Sequence, residues 1–266
     1  MEVTSGNFKF NTFSPEELRA RLSGGNYPFR VALYGNSGSG KSRMADTFPG
    51  RKLVLDFDCG GLVYSSPDTA IVQLAPDSAL APKQRTAWEE ANIVINWAIA
   101  KTDQPFDVLI VDSFTKMQAA CMFCILKQAG HAGVQPTQPE YGANKRLCME
   151  FIYKCFASGK HVIFTFHEQT DREELTGVVW CRPGTIGKLS QSLPLEFDEV
   201  YRLDPMPSND TTAYRVLTRA THIYTAKSRL DSQLSIKLEQ YEPADFKVIL
   251  DKVKQIAGGV AKEVTK

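Results

Sequence analysis

The sequence lacks any strong imbalance of charge, since 31 Lys and Arg residues stand against 30 Asp and Glu residues. This balance excludes a chain that attracts nucleic acid through a global basic field, so any such contact must come from a local patch. No apolar run approaches the ~20 residues that span a bilayer. The N-terminus also lacks the basic, apolar and small-residue order of a signal peptide. We expect a soluble, intracellular protein with no membrane partner.

Histidine and cysteine are also scarce, with four His and six Cys residues among 266. A zinc site built on the C-x-x-C pair Cys121 and Cys124 would need two further ligands, and the sequence has no second such pair. Most of the cysteines lie in apolar segments, which favours reduced thiols packed in the core. The length and the hydrophobic fraction of 43% suit one large domain with appendages.

One motif is present in full, because the segment 35–42 matches the phosphate-binding loop G-x-x-x-x-G-K-[ST]. An apolar run before it predicts a buried strand, and the residues after it can open a helix. Backbone N–H groups in such a loop point at a β-phosphate, and the helix N-terminus adds positive charge. The predicted nucleotide-binding residues are Gly35, Asn36, Ser37, Gly38, Ser39, Gly40, Lys41, Ser42 and Arg43.

Within this loop two side chains have predicted roles. Lys41 should reach the β- and γ-phosphates, and the Ser42 hydroxyl should ligate Mg²⁺. The sequence therefore predicts ATP and Mg²⁺ as cofactors.

The rest of the chain alternates apolar strand-like runs with helical patterns, which predicts an α/β fold. We expect a mostly parallel sheet with helices on both faces and antiparallel strands at the C-terminal end. Predicted strands are Lys52–Phe57, Ala70–Leu74, Phe106–Asp112, His161–Phe166, Ala213–Thr218 and His222–Thr225; predicted helices are 84–101, Thr115–Gln128, Tyr141–Ser158 and Ala244–Ala257. The predicted organisation is a lead-in (1–27), a core (28–232) and a C-terminal helix with its tail (233–266).

Acidic side chains follow two of the predicted strands. Asp112 ends an apolar strand at the edge where open α/β sheets bind ligands, so it is a candidate Walker B aspartate that holds the magnesium water shell. The alternative is a cap for the next helix. Asp58 is preferred over Asp56 as the group that orients or deprotonates water, because Asp58 lies past the last apolar residue of its strand. A solvated turn carboxylate is its alternative.

Two further cationic or titratable features complete the predicted site. His167 ends the strand His161–Phe166 and would lie near the γ-phosphate as a sensor, although a structural histidine is the alternative. Lys227 and Arg229 are two residues apart and face one way on an extended strand. Such paired cations suit a γ-phosphate; the alternative is an exposed charged strand.

Together these residues resemble the RecA/RadA-type ATPase core, and more narrowly the phage-encoded Sak-type proteins linked to single-strand annealing. The matching pieces are Gly35–Ser42, Val111-Asp112-Ser113, Tyr141-Gly142, Thr165-Phe166-His167-Glu168, Phe197-Asp198-Glu199-Val200 and Ala226-Lys227-Ser228-Arg229. The resemblance implies a RecA-like P-loop NTPase core over residues 28–232 that hydrolyses ATP. It places Asp58 where that superfamily has a glutamate, and it implies the cytoplasm of a bacterial host.

The resemblance also implies partners. Lys227-Ser228-Arg229 is similar to a K-x-R finger that reaches the neighbouring subunit's nucleotide, so we expect a homo-oligomer, either ring or filament. RecA-like proteins hold single-stranded DNA on loops, and the corresponding loop here, Glu168–Leu193, carries Arg172, Trp180, Arg182 and Lys188. A single-stranded-DNA-binding protein is a further implied partner. An ordinary mobile loop is the alternative for Glu168–Leu193.

Two other functions stay open at this point. A P-loop kinase would use the same loop, but usually carries a lid with several arginines, of which Arg172 and Arg182 are the candidates here. A nucleotide-dependent interaction switch with little turnover is also compatible, because Asp58 is one methylene shorter than the expected glutamate.

Overall fold

A computed structural model describes residues 4–5, 8–9, 13–25, 27–81, 83–100, 103–174, 177–187, 189–207, 212–230 and 236–264. Its strands are β1 (Thr4–Ser5), β2 (Phe8–Lys9), β3 (Arg30–Gly35), β4 (Lys52–Asp56), β5 (Thr69–Gln73), β6 (Val108–Asp112), β7 (His161–Arg172), β8 (Val179–Pro183), β9 (Glu199–Pro207), β10 (Thr212–Leu217), β11 (Lys227–Ser228) and β12 (Tyr241–Pro243). Its helices are α1 (Pro15–Ser23), α2 (Lys41–Asp46), α3 (Ala87–Ala100), α4 (Phe114–Gln128), α5 (Gln138–Ala157), α6 (Leu189–Glu196) and α7 (Phe246–Val264).

The main sheet has the strand order β12-β10-β9-β3-β7-β6-β4-β5. The six strands from β9 to β5 are parallel to their neighbours. Strands β10, β11 and β12 lie at the β9 end of the sheet. Each is antiparallel to the strand with which it pairs. The predicted fold class is therefore confirmed.

Helices cover both faces of the sheet. On one face α3, α4, α5 and α6 enclose a core that includes Trp88, Phe151 and Phe164. On the other face α1, α2 and α7 enclose a core that includes Leu22, Phe48 and Phe246. Burying side chains of this size stabilises the fold by about 1.5–3 kcal/mol each. Both the lead-in helix α1 and the C-terminal helix α7 thus pack against the central sheet.

The structure corrects several predicted elements. The predicted Glu168–Leu193 loop is a hairpin followed by a helix, because β7 continues past Phe166 and pairs with β8. The β7 residues of this hairpin, Glu168–Arg172, are all polar, so this part of β7 lacks the apolar run that marks a buried strand. The predicted strand His222–Thr225 is only an isolated bridge between Tyr224 and Cys181.

The observed start of helix α5 differs from the predicted one because its capping residues were not recognised in the sequence. Helix α5 begins three residues before the predicted Tyr141, because Thr137 and Glu140 form a capping box in front of it. Cys121 and Cys124 lie buried in the core, as their apolar segments predicted. Within the described ranges, no helix has the length and apolar character needed to cross a membrane.

Candidate nucleotide-binding site

The phosphate-binding loop connects β3 to α2, as the motif predicted. Gly40 precedes α2 with a φ of +94°, and no side chain caps the helix. The first N–H groups of α2 are therefore available to an anion, which the helix dipole favours. A Cβ on Gly40 would also lie 2.9 Å from Cδ1 of Tyr214, so only glycine fits at this position.

Lys41 is buried at the base of this loop. Its ammonium group donates to the carbonyls of Gly35 at 3.0 Å and Asn36 at 2.8 Å. Burial lowers the pKa of Lys41, and the carboxylates of Asp112 and Asp58 oppose that shift. The cation is thus held between the loop carbonyls and the two acids of the predicted site.

A cavity of about 300 Å³ lies over the loop. It brings together most of the predicted site residues from four separate segments of the chain. Its lining consists of Ser37, Gly38, Gly40, Lys41, Ser42, Arg43, Asp58, Val63, Asp112, His167 and Tyr214. The carboxyl ends of β3, β4 and β6 meet here beside His167 of β7, at the edge where open α/β sheets bind ligands.

Asp112 lies at the bottom of this cavity and is buried. Its Oδ2 accepts a hydrogen bond from the Tyr64 hydroxyl at 2.8 Å, and its Oδ1 accepts one from the Thr165 hydroxyl. The cap of α4 is Ser113, whose hydroxyl accepts from the Lys116 amide, so Asp112 is not the helix cap. Its carboxylate is therefore fixed by side chains of two other segments.

Ser42 and Asp112 are the candidate Mg²⁺ residues, and their chemistry fits that ion. Mg²⁺ is usually bound through one or two protein oxygens together with phosphates and water. A hydroxyl and a carboxylate lining one cavity beside a phosphate loop supply that kind of donor set.

Asp58 and Asp56 occupy different environments. Asp58 lines the cavity; its Oδ1 accepts from the Ser113 hydroxyl at 3.2 Å, and its Oδ2 lies 3.4 Å from Nε2 of His167. Asp56 is buried instead, with its Oδ1 accepting from the Gly60 amide, and burial raises its pKa. The structure thus places Asp58 and His167 together at the phosphate end and gives Asp56 a turn-stabilising contact.

Two tyrosines of the site were missed from the sequence. The Tyr64 hydroxyl donates to Asp112 at 2.8 Å, and burial raises the pKa of Tyr64 well above the usual value for tyrosine. Tyr214 lies on β10 with its ring against Gly40, and the guanidinium of Arg43 is 5.9 Å from the ring centroid. The turn glycines before Tyr64 were a usable signal, whereas nothing in the local sequence indicates the position of Tyr214.

Lys227 and Arg229 lie outside the cavity. Strand β11 pairs with Glu199 and Val200, which lie beside Val31 and Ala32 of β3, whereas the phosphate loop follows the far end of β3. Lys227 is therefore offset from the start of the phosphate loop by about 10 Å along the strand direction. Strands β11 and β3 both neighbour β9, so Lys227 lies in the middle of the strand order and not at its far end. Arg229 donates to Asp198 at 2.7 Å and to the Leu195 carbonyl at 3.0 Å.

The hairpin of β7 and β8 begins directly after His167 and extends past the main sheet. Arg172 is exposed, Trp180 is half-buried, and Arg182 forms a 2.6 Å ion pair with Asp171. Lys188, the third cation predicted to contact DNA, lies outside the described residues. The four DNA candidates are therefore not on one loop, and one of the cations already has an acidic partner.

The base of the hairpin is hydrogen-bonded to the segment that leads into β11. Cys181 donates its amide to the Ile223 carbonyl at 2.6 Å, and Thr225 donates its amide to the Cys181 carbonyl at 3.0 Å. The Tyr34 hydroxyl donates to the Thr225 carbonyl at 2.7 Å. Segment 223–225 therefore joins the hairpin to the strand before the phosphate loop.

Comparison with solved structures finds several similar proteins. The chain is similar to a KaiC-like protein from Pyrococcus horikoshii (12% identity, TM-score 0.41, 73% of this chain and 79% of the other). It is also similar to the flagellar accessory protein FlaH from Methanocaldococcus jannaschii (11%, 0.42, 87% and 94%). A third similar structure is the RadB recombinase (14%, 0.42, 71% and 81%).

No curated protein matches the chain. The model of the AAA domain family, by contrast, matches residues 27–230. This range contains the phosphate loop, both acids of the cavity, His167 and the pair Lys227 and Arg229. The chain belongs to the AAA domain family.

Proposed function

We propose that the protein binds and hydrolyses Mg·ATP and acts on single-stranded DNA as a head-to-tail homo-oligomer, in recombination or annealing of the phage type. The observation that carries the ATPase part is the cavity that unites the phosphate loop with Asp112, Asp58 and His167. A phosphate loop alone binds nucleotide, but a carboxylate facing the same cavity can also act on water.

Each residue has a task in this reaction. Lys41 and the N–H groups of the loop hold the β- and γ-phosphates. Bound Mg²⁺ supplies charge neutralisation between those phosphates. Asp58 accepts the proton of the attacking water at its carboxylate, which the Ser113 hydroxyl orients. His167 lies beside Asp58 and senses whether the γ-phosphate is present. The Tyr214 ring, next to Arg43, offers a stacking surface for the base.

The DNA part of the proposal is supported by the hairpin of β7 and β8. It rises from the same strand that positions His167, and Arg172 lies five residues after His167 on that strand. Exposed Arg172 supplies a cation for phosphates, and half-buried Trp180 supplies a ring for base stacking, worth about 1–3 kcal/mol per base.

The oligomer part is supported by the position of Lys227 and Arg229. These cations lie toward the amino-terminal end of the sheet, away from the subunit's own phosphate loop. In a head-to-tail assembly they would face the nucleotide of the next subunit, and such interfaces close into rings or continue as filaments.

A second candidate, a P-loop kinase, is favoured by one observation. A cavity of about 330 Å³ lies on the other side of Asp58 and is lined also by Phe57, Asp77, Lys116 and Phe123. A phosphate acceptor bound there would have its hydroxyl next to the same carboxylate.

Phosphate release measured with and without single-stranded DNA distinguishes these functions. We expect slow release by the wild-type protein, stimulation by DNA, and loss of turnover in Lys41→Ala. Formation of ADP that ignores DNA, depends on an added small hydroxyl compound and exceeds phosphate release would support the kinase, because the phosphoryl group is then transferred to that compound. Unchanged turnover in a folded Lys41→Ala protein would reject both enzyme functions.

The DNA surface is tested by fluorescence anisotropy with labelled oligonucleotide. Arg172→Ala combined with Trp180→Ala should weaken binding about tenfold or more, because a phosphate contact and a stacking ring are both lost. The matched control is the pair Lys145→Ala and Arg146→Ala, which removes exposed charge from α5. Equal effects of the two pairs would show that the hairpin is not the DNA site.

A further inference from the structure

We infer that Thr115 is a positioning residue that joins His167 to the end of the β7–β8 hairpin, so that the nucleotide site and the hairpin affect each other through its hydroxyl. The inference rests on the proposed function, because it takes His167 as the group that meets the γ-phosphate. Thr115 itself lies in the first turn of α4 and does not line the nucleotide cavity.

Thr115 completes a closed ring of hydrogen bonds between two backbone segments. Its hydroxyl oxygen accepts from the His167 amide at 3.1 Å, and the same hydroxyl donates to the Gly184 carbonyl at 2.9 Å. The Gly184 amide in turn donates to the His167 carbonyl at 2.7 Å. The paired residues of the hairpin run from Glu168 to Pro183. One hydroxyl therefore connects the residue before the hairpin with the residue after it.

The position of this ring explains why a side chain is needed in it. The last register pair between β6 and β7 is Val111 with Phe164, so the His167 amide lies beyond that ladder and needs another acceptor. Thr115 supplies that acceptor. The contact is also tight, because a Cβ on Gly184 would lie 2.9 Å from the His167 carbonyl oxygen. A movement of either backbone segment is therefore transmitted to the other.

The start of α4 gives this ring a fixed base. The hydroxyl of Ser113, the cap of α4, donates to Asp58 at 3.2 Å. One turn along the helix, the buried Gln118 accepts from the Ile186 amide at 2.7 Å. Thr115 lies between these two contacts on α4. The helix thus holds the carboxylate of the cavity, the backbone of β7 and the segment after the hairpin in one arrangement.

The ring makes the contact between His167 and Asp58 depend on the hairpin. Nε2 of His167 lies 3.4 Å from Oδ2 of Asp58, so a small further displacement would break this contact. A γ-phosphate that fixes His167 would also fix Gly184 through Thr115, and a ligand that moves the hairpin would act on His167 by the same route. Such coupling is reciprocal, so it can be detected with nucleotide alone.

The test compares Thr115→Val with Thr115→Ser and Thr218→Val. Valine removes the hydroxyl and keeps the branched Cβ, whereas serine keeps the hydroxyl. Thr218 is a matched control, because its hydroxyl also donates to a backbone carbonyl, that of Glu239, at 2.6 Å, but directly after β10 and outside the cavity. Unfolding of each variant by denaturant reports the structural cost separately.

Hydrogen exchange of the β8 amides is measured by mass spectrometry in saturating Mg·ADP and in saturating Mg·ATPγS, and the two rates are compared for each protein. We expect exchange in the wild-type protein to be slower in Mg·ATPγS by roughly threefold or more, which is the effect of about one hydrogen bond on an opening equilibrium. The difference should disappear in Thr115→Val and remain in Thr115→Ser and Thr218→Val.

Two results would overturn the inference while the proposed function stands. One is equal exchange of β8 in the two nucleotides in the wild-type protein, and the other is a wild-type difference in Thr115→Val. Binding of both nucleotides is checked first with fluorescent mant derivatives. Absence of nucleotide binding by the wild-type protein would overturn the proposed function, and the inference with it.

Discussion

Replacing Gly40 by alanine probes the packing of the phosphate loop directly. The residue has a φ of +94°, and a Cβ there would lie 2.9 Å from the Tyr214 ring. A side chain in the left-handed region costs roughly 1–2 kcal/mol, and inserting a methyl group into a packed contact costs about 1–3 kcal/mol more. We therefore expect Gly40→Ala to lower the free energy of unfolding by about 2–5 kcal/mol.

Gly38 provides the matched control for this variant. It also has a positive φ, +75°, but a Cβ there would meet nothing within 4 Å. Gly38→Ala should therefore show only the backbone cost of roughly 1–2 kcal/mol. Chemical denaturation of the nucleotide-free protein, followed by circular dichroism, measures both free energies on the same basis.

A third background separates the two contributions to Gly40→Ala. In Tyr214→Ala protein the ring is absent, so the cost of Gly40→Ala should fall to that of Gly38→Ala, within about 0.5 kcal/mol. Equal destabilisation by Gly40→Ala and Gly38→Ala in the wild-type background would refute the argument, because it would show that Tyr214 does not rest on the loop.

Three further predictions concern chemistry, assembly and pH. Asp58→Asn should lower phosphate release at least tenfold with nucleotide affinity unchanged, whereas Asp56→Asn should mainly lower stability; the reverse pattern in turnover assays would exchange their roles. Mixing Arg229→Ala with Lys41→Ala subunits should restore some turnover if fingers act across an interface; no recovery at any mixing ratio contradicts this. Burial lowers the pKa of His161 to about 4. The free energy of unfolding should therefore fall by roughly 3 kcal/mol as pH falls from 6.5 toward 4, because the unfolded state takes up a proton first, and this fall should be absent in His161→Asn. The same pH dependence of the free energy of unfolding in both proteins would contradict this.

The order of site residues along the chain was predictable because each follows an apolar strand. Asp112 ends a buried strand and His167 follows the last buried residue of β7, and a parallel sheet brings such positions to one edge. The choice of Asp58 over Asp56 followed from counting one residue past the strand, and the structure places only Asp58 in the cavity.

Residues whose position depends on distant pairing were not predictable. Tyr214 reaches the loop because β10 pairs with β9, which places its ring over Gly40. The register of β11 on the first residues of β9 likewise has no local signal, so the position of Lys227 along the sheet could not be inferred. The hairpin was missed because the part of β7 that forms it, Glu168–Arg172, is polar throughout and β8 is only five residues long.

The hydrogen bonds between the hairpin and segment 223–225 have a mechanical consequence. The backbone amide of Thr225, two residues before Lys227, donates a hydrogen bond to the carbonyl of Cys181 on the hairpin. A displacement of the hairpin would therefore pass to β11 through backbone hydrogen bonds and not through side chains alone. If DNA pulls on the hairpin and Lys227 faces a neighbouring subunit, as proposed above, that pull would reach the neighbour through these bonds.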